Sequence, residues 1–453
     1  MKRSLISLLL VTVSVLRSAQ TTPIKPQTPD VKIPPVVAMP TLEAGVKPLS
    51  LSEAVTIALA NQPSLKVARA NVKSAEGAVQ VTGAGLNPQL SLTAGATRND
   101  TFRGQGTSGT TSTSNSNSLT AGLNVTQLLF DFGRTRTAVR QQKALEKASH
   151  YTLNTAENDL TLNTRVAYFD LVQNVQLVGT AQQNLANVQR QYDQANARLE
   201  SGLGAPSDFI RAKTALADAV LSLETARNTE TTSRISLAQQ LGIDPRTPIQ
   251  PDVSASLDLK DPSVDEVNSL VTNALRDRPE MRDAQQRVFA AGLGVAVAKL
   301  NNAPTVNLTG NLNARGSNDP FQTQTGAIGV SVTWTFGDGG RTSGLTKQAE
   351  ATVDLAKANL ETASLNVIGQ VNQAYTDIKT AQLRSDTADT QVANAAELVR
   401  ISEGRYSGGI GTFLEVRDAQ SSLYSAQRNL LAAKTDLQRA NARLQRAIGA
   451  SIL

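Results

Sequence analysis

Two acidic residues near the C-terminus are the strongest candidates for chemistry. Glu415 and Asp418 lie three residues apart, so on a helix both carboxylates face one side. Negative charges gathered in this way attract cations and oppose the approach of further negative charge. A structural role is equally compatible with the sequence, because Thr412-x-x-Glu415 fits a helix-capping box and acidic residues suit the first turn of a helix.

The composition excludes most enzyme chemistry. The 453 residues include no Cys and a single His, His150, which largely excludes disulfides, thiol or imidazole metal sites, and Cys or Ser/His catalytic groups. No convergent polar cluster marks an active site, and the low Met and His content gives no path for copper or silver ions. We therefore predict no catalytic residues, no metal and no cofactor.

The N-terminus resembles an export signal. Lys2 and Arg3 precede an apolar stretch and then small residues, which predicts a signal peptide over residues 1–19. Without the signal peptide, 41 Lys and Arg remain against 38 Asp and Glu. The net positive charge is therefore small, and we predict no nucleic-acid partner. Residues 20–49 are rich in Pro and are predicted to form an extended tether.

The rest of the chain is an internal duplication. Pro63 and Pro88 recur 216 residues later. An offset of 207 residues superimposes further identical positions, including Gly133, Ala167, Tyr168, Arg198, Gly202, Gly204, Ala212 and Gly242. The offset changes by nine residues between Pro88 and Gly133, because the first copy carries extra Ser, Thr and Gly residues at 104–118. Such an insertion marks a loop tip. We predict a first repeat over 50–248, a linker over 249–262 and a second repeat over 263–450.

Long helices are predicted in each repeat. Residues 134–201 and 345–403 contain no Pro and one Gly each, and shorter helices are expected over 207–241 and 412–448 and near 51–83 and 263–300. Apolar residues alternately three and four positions apart indicate coiled-coil seams, at Leu185, Val188, Tyr192, Ala195 and Leu199, and at Leu423, Ala426, Leu430, Ala433, Leu437, Ala440 and Leu444. A plain antiparallel coiled coil without a channel also fits this periodicity.

Four stretches alternate apolar with polar or small residues, and they predict strands at about 89–97, 119–128, 305–313 and 327–335, one hairpin per repeat. No apolar run after the signal reaches the ~20 residues of a transmembrane helix, so a spanning role would require a β-barrel. Four strands cannot close a barrel, whereas three chains would supply about twelve. The loops at 100–118 and 314–325 would then face the exterior.

Aromatic residues mark corresponding strand ends in the two repeats. Phe130 and Phe132 follow the second strand, and Trp334 and Phe336 follow the fourth. Such a set is typical of an interfacial aromatic belt, which would mark the periplasmic edge of the barrel. The alternative is a small core cluster where strand meets helix.

Two segments resemble the TolC family of outer-membrane efflux proteins. The stretch GRYSGGIGTFLEVRDAQSSLYSAQRNLLAAKTDLQRANARLQRAIG, from Gly404 to Gly449, resembles the family's C-terminal half-repeat. RLESGLGAPSDFIRAKTAL, from Arg198 to Leu216, resembles its other periplasmic turn. The resemblance covers roughly residues 49–449 and implies a mostly α fold with a transmembrane β-barrel portion. In a homotrimer, twelve strands would form an outer-membrane barrel that continues as a twelve-helix barrel in the periplasm.

The resemblance implies a passive exit duct of an efflux or secretion system, surrounded by outer-membrane lipid. Its partners would be a periplasmic adaptor (membrane fusion) protein and an inner-membrane pump of the proton-driven or ATP-driven type. An exported coiled-coil structural or adhesin-like protein explains the helical seams but not two matched hairpins. A periplasmic adaptor would need further β-rich domains and only one helical excursion.

Adaptor docking is implied at two periplasmic tips, a first tip at about 202–206 and a second tip at about 408–412. The docking candidates are Gly202, Leu203, Gly204, Ala205, Gly409, Ile410, Gly411 and Thr412. A tight reversal of the chain explains the glycines without any partner. The apolar Leu203 and Ile410 between glycines are less easily explained by the turn.

A periplasmic gate is implied beside the second tip. Glu415 and Asp418 match acidic residues that line the family's constriction, where a trimer would hold them as two rings of like charge. In the first repeat Asp208 corresponds to Glu415, but Arg211 replaces the acid that would correspond to Asp418.

The gate departs from the family pattern at one position. Asp208 and Tyr406 match residues that bond across neighbouring coils to hold the entrance closed, but Gly411 occupies the position of a gating Arg. One charge-assisted hydrogen bond is therefore missing. Either another residue substitutes, with Arg405 and Arg417 as candidates, or the resting state opens more easily.

Overall fold

The computed structural model describes residues 48–102, 113–202, 204–256, 264–317 and 322–449. Several predicted features lie outside these described residues: the signal peptide, the tether up to residue 47, residues 104–112 of the long loop, Leu203, and residues 257–262 of the linker.

The two halves of the chain share one order of elements: two helices, a β-hairpin, a very long helix and a shorter helix. The first half contains α1 (Leu51–Asn61), α2 (Pro63–Ala84), β1 (Gln89–Phe102), β2 (Thr113–Phe130), α3 (Arg134–Glu200) and α4 (Pro206–Leu241). The second contains α5 (Val264–Asp277), α6 (Pro279–Lys299), a 3₁₀ turn (Leu300–Asn302), β3 (Thr305–Gly316), β4 (Thr323–Thr333), α7 (Arg341–Ser407) and α8 (Phe413–Ile448). The helices α3 and α7 have 67 residues each, and at ~1.5 Å per residue each extends about 100 Å.

The single helices predicted near 51–83 and 263–300 are wrong, because each is divided in two. Gln62 and Arg278 separate the halves and have extended backbones, with ψ of 123° and 135°. Each precedes a proline, and the proline ring disfavours the helical conformation of the preceding residue. Pro63 and Pro279 then begin α2 and α6, a position where a missing N–H costs nothing.

One antiparallel sheet joins the two hairpins in the order β1-β2-β3-β4. The strands extend further toward the loops than predicted. Asp100 pairs with Asn115 inside the expected 100–118 loop, and β4 begins at Thr323. These segments are polar on both faces, so they give no alternation in hydrophobicity although their backbones pair. At its other end β4 stops at Thr333, two residues before the predicted limit.

The sheet has one apolar face. Leu92, Leu123 and Leu312 lie side by side on β1, β2 and β3. Since Leu312 pairs with Gly326, the alternate residues that follow Gly326 on β4 share this face. The face is therefore formed by exposed apolar side chains on all four strands, namely Leu90, Leu92, Leu123, Leu312, Ile328, Val330 and Val332.

The core of the first half is centred on the middle of α3. Tyr168 and Phe169 are buried there against residues of α1 and α4. The Tyr168 hydroxyl donates to the Leu49 carbonyl at 2.8 Å and accepts from the Asp252 N–H at 3.0 Å. This side chain therefore holds the segment before α1 and the segment after α4 against the long helix.

The predicted seam on α8 faces the rest of the molecule. Its alanines, Ala426, Ala433 and Ala440, are buried, while Leu423 and Leu430 are half-buried. Small residues at alternate positions allow the close helix approach that the pattern predicted. None of the described helices is both long and apolar enough to cross a membrane.

Candidate functional site

The second tip is a tight turn built on two glycines with different roles. Gly409 adopts a left-handed backbone with φ of +76°. The N–H groups of Ile410 and Gly411 both donate to the Arg405 carbonyl at 3.0 Å. A Cβ on Gly411 would lie 2.9 Å from the Arg405 Cβ. The turn therefore requires Gly409 for its backbone conformation and Gly411 for close approach to α7.

The first tip repeats this construction. Gly202 has φ of +72°, and its N–H donates to the Leu199 carbonyl at 3.0 Å. A Cβ on Gly204 would lie 2.9 Å from the backbone of Arg198 and Leu199. Chain reversal alone thus accounts for all four glycines, and docking must be argued from other residues.

Exposed side chains at the tips are the ones free to meet a partner. The Ile410 side chain is 75% exposed, and Thr412 and Ala205 are also exposed. An apolar side chain held out at the end of a long hairpin has no stabilising role in the turn, so it is available for contact with another molecule.

The two candidate gate carboxylates each lie beside one arginine. Thr412 Oγ1 accepts the Glu415 N–H at 3.2 Å, as expected for a helix N-cap. The Glu415 carboxylate lies 3.5 Å from Arg405 Nε, and the Asp418 carboxylate lies 3.5 Å from the guanidinium of Arg417. All four side chains are more than a third exposed, so these pairs add little to stability.

Tyr406 lies in a small cluster that joins the two tips of one chain. Its ring packs beside that of Phe413 with centroids 6.0 Å apart, next to Ala195 and Ala212. The guanidinium carbon of Arg198 lies 4.4 Å from the Tyr406 ring centroid. No hydrogen bond between Asp208 and Tyr406 is found within the described part of this chain.

Arg198 and Phe413 were not among the predicted gate residues. A signal was available for Arg198, because the internal repeat aligns it with Arg405. Their environments differ: Arg405 pairs with Glu415, whereas Arg198 lies over Tyr406. The repeat therefore predicts the position of the cation but not its partner.

A polar groove lies directly behind the second tip, between α3, α7 and α8. Its volume is about 590 Å³, and amide side chains including Gln183, Asn187 and Gln194 line it. Gln420 donates across the groove to Glu403 at 2.8 Å. The wall of the helical hairpins is thus hydrophilic near the tips.

The predicted aromatic residues form two matched pairs at the strand ends. Ring centroids are 4.8 Å apart in the pair Phe130 and Phe132, and 4.4 Å apart in the pair Trp334 and Phe336. All four side chains are at least half exposed. An interfacial aromatic belt would require such exposed rings, so the belt stays a prediction.

Two aspartates that the sequence analysis did not single out stabilise the turns between a strand and the long helix that follows it. Asp131 accepts N–H groups of Gly133 at 3.0 Å and Thr135 at 2.7 Å. Asp338, 207 residues later, accepts from Gly340 at 3.1 Å and Thr342 at 2.7 Å. Each aspartate therefore satisfies free N–H groups at the start of a long helix, and the duplication offset was the signal that could have revealed them.

An ionic network between the end of α8, the start of α6 and the long helix α3 joins the two repeats. Arg446 of α8 contacts Asp159 of α3 at 2.7 Å and also contacts Glu280 of α6. Arg278 donates to the Glu280 carboxylate at 3.1 Å. Burial alone would raise the pKa of Glu280, but hydrogen bonds from Arg278 and Arg446 outweigh it and lower the pKa to about 2. The Glu280 carboxylate is therefore held ionised between two buried arginines.

Comparison with known proteins matches both halves of the chain to one family. The model of the family described as outer membrane efflux protein matches residues 54–243 and 270–450. The chain belongs to the outer membrane efflux protein family. Its relatives are channel proteins, and the family places this chain in the outer membrane with a large periplasmic helical part.

Individual members of the outer membrane efflux protein family match over most of their length. The chain is 27% identical over 386 residues to Protein CyaE of Bordetella pertussis, covering 84% of this chain and 80% of that protein. It is 26% identical over 386 residues to Outer membrane protein TolC of Escherichia coli, covering 81% and 76%. The solved structure of the outer-membrane channel OprN is similar with a TM-score of 0.73 and 25% identity, covering 88% and 90%. These matches support the efflux-channel function and give no support to a structural or adhesin-like protein.

Proposed function

We propose that three copies of the chain form a passive exit duct through the outer membrane, continued in the periplasm by a tube of helices. The observation that carries this proposal is the four-stranded sheet with one exposed apolar face, joined directly to two 67-residue helices. The apolar face suits lipid, and the opposite face carries polar residues such as Asn124 and Asn311. Alternation of this kind suits a wall between lipid and water.

The sheet edges support assembly. Within the described residues β1 and β4 each pair on one side only. An unpaired edge in lipid costs several kcal/mol per polar group. Head-to-tail pairing of β4 with β1 of another copy removes every edge when the ring closes. Three copies then supply twelve strands, within the range of known outer-membrane barrels.

The tips serve as the docking surface for a periplasmic adaptor protein, and the adaptor couples the duct to an inner-membrane pump driven by protons or ATP. Exposed Ile410 at the second tip supports this assignment, together with Thr412 and Ala205 beside the glycine turns. Glu415 and Asp418 form rings of negative charge at the periplasmic entrance, and the cluster of Tyr406 and Arg198 holds that entrance closed. The duct carries no catalytic groups of its own.

Oligomeric state and conductance test the duct together. Detergent-extracted protein is examined by light scattering for its mass and in planar bilayers for discrete channel openings. Trimers that conduct support the proposal, whereas a folded monomer that is released from membranes by salt or alkali contradicts it.

Matched lysine substitutions on one strand test which face meets lipid. Val330→Lys places a charge on the apolar face, and Ser331→Lys places it one residue further along on the polar face. A lysine facing lipid costs about 2–4 kcal/mol at mid-membrane, so V330K should reduce the yield of membrane-inserted trimer while S331K inserts and changes conductance. Equal insertion of the two variants argues against a barrel wall.

A further inference from the structure

The single histidine of the chain lies beside two carboxylates from neighbouring helices. Ligand atoms of Glu76 on α2 and of Glu146 and His150 on α3 all lie within 4.8 Å of one another. Glu146 and His150 are four residues apart, so they occupy the same side of α3 on successive turns. Glu76 completes the group from the adjacent helix.

Packing between α2 and α3 fixes this arrangement. The two helices run antiparallel: Arg69 lies 3.9 Å from Glu157 at one end of the contact, and Gly85 approaches Thr135 at the other. Buried Ala148 and Val72 lie near the three donors in sequence, and the small alanine permits close approach of the helix backbones. The three donors are therefore positioned by regular secondary structure rather than by a loop.

Among the described residues, no Lys or Arg lies within ion-pair distance of the Glu76 or Glu146 carboxylate, and His150 has no hydrogen-bond partner. Two like charges so close repel each other unless a cation lies between them. Elsewhere on these helices acids do have partners, as Glu157 has in Arg69. A positively charged ligand would relieve the repulsion.

The group is absent from the second repeat. The duplication offsets place Gly292, Val353 and Lys357 at the positions of Glu76, Glu146 and His150. The fold of the repeat therefore does not require these three side chains. Their presence in the first repeat is a feature added to the common architecture.

We propose that Glu76, Glu146 and His150 form a binding site for a first-row divalent cation, with Zn²⁺ as the representative ion. One imidazole and two carboxylates are ligands that Zn²⁺ accepts in three-ligand sites that keep a position for water. Ligands at about 2.1 Å around a tetrahedral ion are about 3.4 Å apart, a separation that modest rotation of these surface side chains achieves. The bound ion links α2 to α3.

The absence of Cys and of any second His makes the site easy to test in the intact protein. The full-length trimer is purified in detergent through a tag that contains no histidine, and Zn²⁺ stoichiometry is measured by equilibrium dialysis. Competition with a fluorescent zinc indicator gives the affinity. We expect one saturable Zn²⁺ per chain, resistant to excess Mg²⁺ because imidazole prefers transition metals to Mg²⁺.

Single substitutions assign the ligands. His150→Gln and Glu76→Gln should each weaken Zn²⁺ binding at least about tenfold, while Glu157→Gln, two turns further along α3, should leave it unchanged. At a Zn²⁺ concentration that just saturates the wild type, Zn²⁺ should raise the Tm of the wild type more than that of E76Q, because stabilisation by a ligand falls as its affinity for the folded state falls. Circular dichroism and trimer mass verify that each variant is folded.

Two results would overturn the proposal. One is the lack of saturable Zn²⁺ binding by folded wild-type trimer. The other is an affinity that E76Q or H150Q leaves unchanged, which would place the ion elsewhere or on α3 alone. Channel conductance is measured separately, so failure of the metal site is distinguishable from failure of the duct.

Discussion

The guanidinium of Arg198 lies 4.4 Å from the ring centroid of Tyr406, and this contact joins the end of one 67-residue helix to the end of the other. Tyr406 also packs on Phe413, the first residue of α8. The contact therefore bridges the first tip and the second tip within one chain. A position expected to carry a gating arginine holds Gly411, and Arg198 supplies a cation to the same region from the other repeat.

Removing the Arg198 guanidinium should make the entrance easier to open. An exposed cation–π contact contributes about 0.5–1 kcal/mol, so Arg198→Ala should shift the closed-to-open equilibrium toward open by roughly two- to fivefold for each chain of the trimer. Single-channel recording measures the change as open probability. Arg190→Ala is the matched control, because Arg190 lies on the same helix and, among the described residues, its side chain bonds only its neighbour Asn187. Equal open probability in both variants would show that the contact does not hold the entrance closed.

Neutralising Glu415 and Asp418 should reduce the cation selectivity of the channel and its block by divalent ions. Glu415→Gln and Asp418→Asn remove six negative charges from a trimer while preserving side-chain shape. Both residues are exposed, so their charge acts on ions in solution rather than on folding. The double variant should show reduced cation selectivity and roughly tenfold weaker block by divalent ions in planar bilayers. Unchanged block would leave Glu415 as a helix-terminal residue only.

Docking at the second tip should depend on Ile410. Ile410→Ser removes an exposed apolar side chain that makes no contribution to the glycine turn, so the protein should fold and conduct normally. Binding to the cognate adaptor, measured by surface plasmon resonance, should weaken about tenfold, as for a buried apolar anchor at an interface. Ile401→Ser on α7 is the matched control, since Ile401 is also exposed but lies more than two turns before the tip. An equal effect of both substitutions would contradict docking at the tip.

Residues whose roles are local could be inferred from sequence alone. Thr412 does cap α8, as its spacing from Glu415 indicates, and Gly202 and Gly409 adopt the left-handed conformation that a tight turn requires. Periodicity also identifies the buried seam of α8. Such features depend on neighbours within four residues, which sequence patterns report directly.

Residues whose partners are distant could not be inferred in this way. Arg446 and Glu280 are 166 residues apart, and Arg439 of α8 pairs with Asp170 of α3 across the repeats. Periodicity predicts which face of a helix is buried but not which helix covers it. Arg198 and Arg405 show the same limit, because equivalent positions in the two repeats have unrelated partners.

Acid should destabilise the helical part through Glu280. Its folded-state pKa of about 2 lies below its usual value of 4.5, because Arg278 and Arg446 stabilise the ionised form. The resulting stabilisation, on the order of 3 kcal/mol, is fully present above pH ~4.5 and disappears as the pH falls toward 2. In Glu280→Gln this part of the pH dependence should vanish, so the unfolding free energies of variant and wild type should converge at low pH.

Denaturant unfolding followed by circular dichroism at several pH values measures this convergence. Asp159→Asn is the control, because Asp159 also contacts Arg446 but its side chain is 53% exposed and screened by solvent. D159N should retain most of the wild-type loss of stability between pH 5 and 2. A wild-type profile in E280Q would contradict the assignment, because protonation of the half-buried Glu280 carboxylate would then not be what weakens the junction of the repeats.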